Sequence, residues 1–294
     1  MQEQCKICDG RKFKTVYDGE IRSGGVGSDF VKGYKIVECN SCNIHLLSPF
    51  PEDIKGFYES DEYREHYDYT IEEKKLADKY DIEQNDRIHK IGIESLRGKI
   101  IGDFGCGIGL FLDSVKGVAE QTVAIEPMIN CGDNLKRKGH IYFKYPEDVE
   151  SKRLDVAVSF DALEHISNPL SFLKAIHESL KQGGYLYISV PNRNDILMNS
   201  HRDIFQKFFY CKAHLFYYDI RLLRQVVEKI GFRIVEETGL HKYDFYNFTS
   251  WLKMSRPCGR KKMDFIDSYF ESIYKNELIR LNLSSHLFVK AIKT

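Results

Sequence analysis

Residues Lys99–Glu126 read KIIGDFGCGIGLFLDSVKGVAEQTVAIE, and their pattern predicts the architecture of the chain. An apolar run ends at Asp103, and a second apolar run ends at Glu126. Between them stand three glycines at alternate positions, Gly105, Gly107 and Gly109. A helical pattern follows the last glycine. This order predicts a strand, a tight turn, a helix and a second strand, which together form a nucleotide-type pocket at the carboxyl edge of a parallel sheet.

The spacing of these glycines excludes two common phosphate-binding turns. A dinucleotide fingerprint has the form G-x-G-x-x-G, and counted from Gly105 its third glycine position holds Leu110. A P-loop needs a lysine followed by serine or threonine, and neither follows this turn. The turn is therefore expected to serve a different nucleoside ligand.

The composition of the chain restricts the classes of protein to which it can belong. The chain has 294 residues, 43% of them hydrophobic, which suits one large α/β domain with an appended module or two domains. Its formal net charge is zero, which argues against a broad nucleic-acid footprint. No apolar run approaches the roughly 20 residues of a membrane span, and the N-terminus is polar, so we expect a cytoplasmic protein. Without an export signal, paired cysteines favour metal binding over disulfides.

Residues 1–50 carry two Cys-x-x-Cys motifs. Their cysteines are Cys5, Cys8, Cys39 and Cys42. Two such knuckles complete a tetrahedral zinc site with no open position, so we predict a structural zinc-ribbon module. A hairpin of 13–17 with 34–38 is expected between them, and His45 is a less favoured substitute ligand. Two reduced thiol pairs that bind nothing are the alternative.

The rest of the chain alternates between strand and helix patterns. We assign 51–97 to a linker and helical cap, and 98–294 to a domain with a parallel-rich, doubly wound sheet. Two stretches near 193–217 and 241–284 do not fit the alternation. We expect these two insertions to lie over the pocket.

In this chain an acid-x-Gly-x-Gly-x-Gly turn follows the first predicted strand, and an acid ends the second. This pattern resembles that of the class I methyltransferases, which use S-adenosylmethionine. The resemblance covers roughly 70–294 and is strongest over 100–192. It implies an α/β, doubly wound, seven-stranded Rossmann-like sheet and S-adenosylmethionine as the cofactor.

The resemblance also implies roles for the turn. Asp103, Gly105 and Gly107 would surround the methionine part of the cofactor, and residues 145–148 would lie near its adenine. Glu126 would accept hydrogen bonds from both ribose hydroxyls, as a carboxylate can, unless it is a solvated strand-end acid. The predicted cofactor-binding residues are Asp103, Phe104, Gly105, Cys106, Gly107, Gly109, Glu126, Pro127, Phe160 and Asp161.

A second constellation, SFDALEHISNP over 159–169, directly follows an apolar strand and so belongs beside the cofactor. It resembles a family feature in which a Glu-His pair, here Glu164 and His165, faces the substrate. Methyl transfer needs a positioned acceptor and removal of its proton. The ordinary pKa of histidine suits His165 as a general base, which Glu164 would orient. A purely structural pair at a helix terminus is the alternative.

The same segment offers a metal hypothesis. The order Asp161-x-x-Glu164-His165 resembles the Glu-x-x-Glu-His arrangement of ubiquinone-pathway O-methyltransferases, with aspartate in place of the first glutamate. We expect that these three residues could bind a divalent cation.

A third group follows the fifth predicted strand of the sheet. Its members are His201, Tyr210, His214, Tyr217 and Tyr218. Family members place substrate contacts in this region, so His214 is the best candidate for a substrate contact or a second base. Aromatic core packing is the alternative for the group.

The two modules together resemble bacterial zinc-ribbon methyltransferases of sugar and secondary metabolism. The leading expectation is O-methylation of a sugar, nucleotide sugar or related small molecule. Alternatives are a ubiquinone-type O-methyltransferase, an RNA methyltransferase and a non-catalytic cofactor-binding protein. The basic patch at Arg256, Arg260, Lys261 and Lys262 is small, so nucleic acid is not the expected partner. The sequence predicts no oligomeric state.

Overall fold

The computed structural model describes residues 4–50, 73–128, 130–259 and 263–294. Residues 51–72 of the predicted linker and helical cap therefore lie outside the described residues. Three members of the basic patch, Arg260, Lys261 and Lys262, also lie outside them. None of the described helices has the length and apolar character that a membrane-spanning helix needs.

Short strands form the N-terminal module, and the rest of the described chain mixes strands with helices. The strands are β1 (Phe13–Tyr17), β2 (Ile21–Arg22), β3 (Phe30–Val31), β4 (Lys35–Cys39), β5 (His45–Ser48), β6 (Ile100–Phe104), β7 (Gln121–Ile125), β8 (Ile141–Phe143), β9 (Leu154–Phe160), β10 (Leu180–Pro191), β11 (Phe216–Tyr217), β12 (Phe232–Leu240) and β13 (His286–Lys293). The helices are α1 (Glu73–Ile91), α2 (Leu110–Val115), α3 (Gly132–Arg137), α4 (Pro169–Ser179), α5 (Ile196–Ser200), α6 (Arg202–Phe209), α7 (Ile220–Lys229), α8 (Phe245–Met254) and α9 (Ser268–Arg280).

The main sheet has seven strands in the order β12-β13-β10-β9-β6-β7-β8. Strands β10, β9, β6, β7 and β8 run parallel, whereas β13 is antiparallel to both β10 and β12. The predicted α/β, doubly wound, seven-stranded sheet is therefore confirmed. In this register Asp103 of β6 stands opposite Ala124 of β7 and Val158 of β9. The ends of the three central strands consequently meet at one edge.

Local sequence explains the elements around that edge. Strand β9 is a nearly continuous apolar run because both of its faces are buried, as in most parallel sheets. Helix α4 begins with proline at its first position, and the Asn168 side chain accepts a hydrogen bond from the Ser171 amide at 3.2 Å. Helix α7 is capped in the same way, with Asp219 accepting from Leu222 at 2.8 Å.

The N-terminal module is joined to the rest of the chain by a shared sheet. Strands β1, β4, β5 and β11 form one four-stranded sheet, and the predicted hairpin is confirmed as the antiparallel β1–β4 pair. Strand β11 comes from the insertion at 193–217. Its Phe216 pairs with Leu46, and the Leu47 amide donates to the Leu215 carbonyl at 3.1 Å. The module therefore holds the segment that carries His214.

The two insertions contain helices that pack on each other. Helices α5 and α6 belong to 193–217, and helices α8 and α9 belong to 241–284. The Trp251 ring of α8 lies 5.1 Å from Phe205 and 4.9 Å from Phe208 of α6, both edge-on. Such edge-to-face contacts add to the apolar burial that holds the helices together.

Candidate active site

The glycine turn after β6 needs residues without side chains. Gly105 and Gly109 both have φ of 84°, a left-handed conformation that other residues adopt only at a cost. A Cβ at Gly105 would lie 2.7 Å from the Ala162 Cβ, and one at Gly109 would lie 2.6 Å from the Leu135 Cδ2. The backbone between them therefore stays bare at the carboxyl edge of the sheet.

A cavity of about 990 Å³ opens at this edge. The predicted cofactor residues that line it are Asp103, Gly105, Cys106, Gly107, Glu126, Pro127, Phe160 and Asp161. Tyr145 and Glu147, from the stretch expected near adenine, line it too. Phe104 and Gly109 do not line the cavity. Instead, Phe104 is fully buried, and its carbonyl accepts a hydrogen bond from Ser159 at 3.1 Å. Phe104 and Gly109 therefore support the turn without contacting the cavity.

The carboxylate of Glu126 is held in place by backbone amides. Its Oε2 accepts from Gly107 at 2.8 Å, and its Oε1 accepts from Met128 at 3.0 Å. Each carboxylate oxygen has a second lone pair, so both oxygens can still accept a ligand hydroxyl. Burial raises the pKa of Glu126. The side chain is thus oriented before any ligand binds.

Asp103 places a second carboxyl group against the same cavity. Burial raises the pKa of Asp103 to about 7, a shift that Arg87 opposes and the Glu126 carboxylate reinforces. Two acidic groups beside a bare backbone turn suit a nucleoside that carries positive charge and a ribose diol. The residues present therefore fit S-adenosylmethionine, whose sulfonium and amino groups are cationic.

Asp161 is engaged in an ion-pair cluster. It has φ of 54°, and its Oδ2 accepts from Arg87 at 2.7 Å and from Lys242 at 2.7 Å. Lys242 also lies 3.3 Å from Glu83. Burial opposes ionisation of Asp161, but Lys242, His286 and Arg87 together hold its pKa far below the usual range. Sequence reasoning missed this cluster because its members come from α1, from the segment after β12 and from β13.

The three predicted catalytic residues meet at the cavity wall. The Nδ1–H of His165 donates to the Ala213 carbonyl at 3.0 Å, and its Nε2 lies 3.9 Å from Glu164 Oε1. The rings of His165 and His214 stand edge to face, 4.7 Å apart. The Leu215 amide donates to the Glu164 carbonyl at 2.8 Å, which ties the two segments together.

Burial changes the electrostatics of this cluster. Burial, and then the charge of His214, lowers the pKa of His165 to about 3. Burial, and then Arg22, lowers the pKa of His214 to about 3. The expectation that His165 titrates near neutrality is therefore wrong, and both rings are neutral at physiological pH. Burial and the Asp161 charge raise the pKa of Glu164 well above its usual range.

Residues 63–237, more than half of the chain, match the family model described as a methyltransferase domain. The chain belongs to this methyltransferase family. Its seven-stranded sheet and its glycine turn agree with the class I methyltransferase fold.

This methyltransferase is similar to two curated relatives and to two solved structures. It is 28% identical over 110 residues to ubiquinone biosynthesis O-methyltransferase of Bradyrhizobium sp. (strain ORS 278), covering 35% of this chain and 44% of that protein. The same enzyme of Coxiella burnetii (strain RSA 493 / Nine Mile phase I) is 28% identical over 109 residues, covering 34% and 47%. The chain thus spans less than half the length of these relatives.

The structural matches show the fold alone. A SAM-dependent methyltransferase from Archaeoglobus fulgidus has a TM-score of 0.51 at 16% identity, covering 72% of this chain and 94% of that one. A chain from the complex between the Haloferax volcanii Trm112 methyltransferase activator and a methyltransferase also has a TM-score of 0.51, at 13% identity, covering 82% and 98%.

A second cavity, of about 330 Å³, adjoins the first in this methyltransferase. It is mainly aromatic, and its rings come from Phe205, Phe208, Phe209, Phe248, Trp251 and Tyr274. Arg22, His214, Tyr243 and His286 line both cavities, so one of the three predicted catalytic residues, His214, lies where the two meet. The Arg22 guanidinium donates to the carbonyls of Phe208 and Gly24 and lies over the Phe208 ring.

Other members of the third group have structural roles. His201 lines neither cavity, and its Nε2 pairs with the Ser255 hydroxyl at 3.3 Å. Tyr210, Tyr217 and Tyr218 are buried core residues. Core packing, left open by the sequence, therefore accounts for these tyrosines.

The four predicted zinc ligands are brought together in the N-terminal module. The Sγ atoms of Cys5 and Cys42 are 3.8 Å apart, those of Cys8 and Cys39 are 3.5 Å apart, and all four lie within 4.8 Å of one another. Zn–S bonds of about 2.3 Å in a tetrahedron place sulfur atoms about 3.8 Å apart. The residues fit zinc. His45 is not part of this cluster and bonds to Glu38 at 3.1 Å.

Proposed function

We propose that this methyltransferase transfers a methyl group to a hydroxyl oxygen of a small acceptor. One observation carries the proposal. Glu164, His165 and His214 line the cavity that contains Asp103 and Glu126, and His214 also lines the second, aromatic cavity. A cofactor in the first cavity and an acceptor in the second would present their reacting groups to each other beside this cluster.

Each residue on the cofactor side of the site has a proposed role. S-adenosylmethionine, when bound, supplies an electrophilic methyl group on a positively charged sulfur. The carboxylate of Asp103 binds cationic groups of the cofactor, and the bare backbone at Gly105 and Gly107 allows close approach. Glu126, already fixed by two amides, accepts hydrogen bonds from the ribose hydroxyls.

The acceptor side needs groups that hold the hydroxyl while it loses its proton. Because Nδ1 of His165 donates to the Ala213 carbonyl, the basic nitrogen of this ring is Nε2. A hydroxyl bound between this nitrogen, Glu164 and His214 would be positioned for in-line attack. Positioned acid–base groups of this kind contribute about 10²–10⁴-fold to rate.

The chemistry of the second cavity favours an acceptor with an apolar ring. Among the described lining residues, Arg22 is the one lysine or arginine, and it already donates to two carbonyls. A nucleotide sugar would bring a diphosphate that finds no further cationic partner among those described residues. Rings of phenylalanine and tryptophan instead stack on an aromatic acceptor. The name of the partial relatives, ubiquinone biosynthesis O-methyltransferase, agrees with a phenolic acceptor.

A sugar acceptor remains the second candidate. Its support is the sequence resemblance to zinc-ribbon methyltransferases of sugar metabolism. We also propose that the four cysteines hold one structural zinc ion, because their spacing matches a tetrahedral thiolate site.

A labelled-methyl assay tests the acceptor class. The protein is incubated with S-adenosylmethionine carrying a labelled methyl group and separate pools of hydroxylated benzoates and quinols, of nucleotide sugars, and of total tRNA. We expect transfer to the phenolic pool. Transfer to the sugar pool alone would support the second candidate, and transfer to tRNA would support the nucleic-acid alternative. Calorimetric titration that finds no binding of the cofactor would contradict the enzyme assignment altogether.

A matched pair of variants tests the cluster. Glu164→Gln keeps the shape of the side chain, and we expect it to lower methyl transfer about 100-fold while cofactor affinity stays the same. Glu150→Gln changes an exposed glutamate and serves as the control. Equal turnover in both variants would remove Glu164 from the proposed site.

A further inference from the structure

We infer that Glu164, His165 and His214 form the binding site of a divalent transition-metal ion, which holds the acceptor oxygen. The geometry of these three side chains supports the site itself. Only the task of the ion, holding the acceptor, rests on the proposed function. The inference replaces the cation site expected from the sequence, which used Asp161.

The distances between the candidate ligand atoms suit one ion. One carboxylate oxygen and one nitrogen from each ring lie within 4.8 Å of one another, and Glu164 Oε1 is 3.9 Å from His165 Nε2. A metal with bonds of about 2.0–2.2 Å to nitrogen and oxygen keeps such atoms roughly 3–4 Å apart. Small side-chain rotations therefore bring all three onto a common centre.

The polar atoms of this cluster also require a partner. Glu164 is 2% exposed, and neither of its carboxylate oxygens has a hydrogen-bond donor among the described residues. The same holds for Nδ1 of His214 within the described parts of the chain. Burying unsatisfied polar atoms costs about 1–3 kcal/mol each, and more for a charged group. A cation at the centre would give the buried carboxyl group a partner and would bind one nitrogen of each ring.

Neighbouring backbone orients the ligands. His165 donates its Nδ1–H to the Ala213 carbonyl, which turns Nε2 toward the cluster. Metal-bound histidines characteristically donate their other ring N–H to a carbonyl or carboxylate in this way. The Leu215–Glu164 backbone bond of 2.8 Å fixes the segment of the third ligand against that of the first.

Asp161 is paired with two cations and is not part of the cluster of candidate ligand atoms. Its Oδ2 is shared by Arg87 and Lys242 at 2.7 Å each, and His286 Nε2 lies 3.4 Å from its Oδ1. Arg87 and Lys242 therefore compete with a metal for this carboxylate, whose Oδ1 has no hydrogen-bond donor among the described residues. His214, about fifty residues away in sequence, takes the third position instead.

The ligand set identifies the class of ion. Two imidazoles and one carboxylate favour zinc, iron, nickel or copper, whereas magnesium and calcium prefer oxygen ligands. Three protein ligands leave a coordination position open, as in catalytic zinc sites. An acceptor hydroxyl in that position would lose its proton to water more readily, because a bound cation lowers the pKa of its ligand.

Metal analysis of the full chain tests the inference. The protein is purified without chelator, supplied with Zn²⁺, desalted and analysed for metal content. We expect two zinc ions per chain, one in the cysteine cluster and one in the Glu-His-His site. Glu164→Gln and His214→Gln should each retain one ion, since loss of a ligand weakens binding by at least about 100-fold. His177→Gln, a histidine of α4 that lines neither cavity, should retain both.

Cobalt substitution identifies which site is filled. Thiolate ligands give intense charge-transfer bands, so the cysteine cluster and the Glu-His-His site are spectroscopically distinct. We expect a second Co²⁺ equivalent in the wild-type chain that adds d–d absorption without thiolate bands. Saturation at one thiolate-type equivalent, unchanged in Glu164→Gln, would overturn the inference. This titration uses the wild-type fold and decides the matter even if His214→Gln does not fold.

The two proposals fail separately. Undiminished methyl transfer by protein that holds a single, cysteine-bound zinc would overturn the metal inference and leave the proposed function intact. Two bound ions with no methyl transfer to any acceptor pool would support the metal site and contradict the proposed function.

Discussion

The two halves of the active site differ in how they are built. The two acids and the glycine turn of the cofactor half come from one short stretch, in which Glu126 is already bonded to the Gly107 and Met128 amides. The acceptor half is assembled from the N-terminal module, the segment after β9 and both insertions. Its polar atoms on Glu164 and His214 have no described hydrogen-bond partners. One half is organised by its own backbone, and the other depends on elements far apart in sequence.

The largest effect is expected from removing the cysteine cluster. In Cys39→Ser/Cys42→Ser, zinc should be lost, and β5 should release β11 together with the segment of His214. Structural zinc is worth about 10–16 kcal/mol in zinc-finger peptides, so methyl transfer should disappear. Hydrogen exchange should rise across β5 and β11, while cofactor affinity stays within about tenfold.

Cys258→Ser, which changes a cysteine outside the module, is the control and should keep its zinc. If the double variant also loses all cofactor binding in calorimetry, the two halves are one cooperative unit and the contrast between them fails.

The second effect falls on the cofactor half. Glu126→Gln replaces a carboxylate oxygen with an amide nitrogen that cannot accept from both backbone amides. We expect the dissociation constant for S-adenosylmethionine to rise about 100-fold, since hydrogen bonds to charged groups contribute about 1.5–3 kcal/mol. Calorimetry measures this directly. Glu120→Gln, at an exposed position, should bind as the wild type does, and a similar loss there would argue against a specific role for Glu126.

The third effect is a dependence of cofactor binding on pH. Burial raises the pKa of Asp103 to about 7, so this carboxyl is largely protonated below that pH. A cationic ligand needs the ionised form, and affinity should therefore fall below pH 7 by up to about tenfold per pH unit. Asp103→Asn should bind weakly with no such slope. An equal slope in the variant would assign the titration to another group.

The same pKa has a consequence for stability without the cofactor. The folded protein holds the Asp103 proton more tightly than the unfolded chain does. Its contribution to stability is therefore present below the ordinary aspartate pKa, near 4, and is lost as the pH rises toward 7. Urea unfolding between pH 5 and pH 8 would measure this loss, which Asp103→Asn should abolish.

The smallest effect is expected in the aromatic cavity. Phe208→Leu removes an aromatic ring over which the Arg22 guanidinium lies, 4.6 Å from the ring centroid. The loss of about 1 kcal/mol corresponds to a roughly fivefold rise in the acceptor KM. The cofactor KM should not change. Phe30→Leu, an exposed ring outside both cavities, is the comparison, and a matching change there would show that the effect is not local.

The same contrast explains how far the sequence could be interpreted. Asp103 and Glu126 were predictable because a strand, a turn and a second strand fix their positions locally. The cysteine motifs were predictable for the same reason. Arg87 and Lys242 gave no signal, because their meeting at Asp161 depends on which distant segments pack together. The pKa of His165 was mispredicted because burial is a property of the whole fold.

The pairing of β5 with β11 has a consequence for protein engineering. A chimaera that takes residues 4–50 from another methyltransferase keeps its own β11 but receives a foreign β5. The two strands of the pair then no longer come from the same protein. The unit of exchange is therefore residues 4–50 together with 193–217, which lie on either side of the cofactor stretch in the chain. Acceptor preference should transfer between homologues only when both pieces travel together.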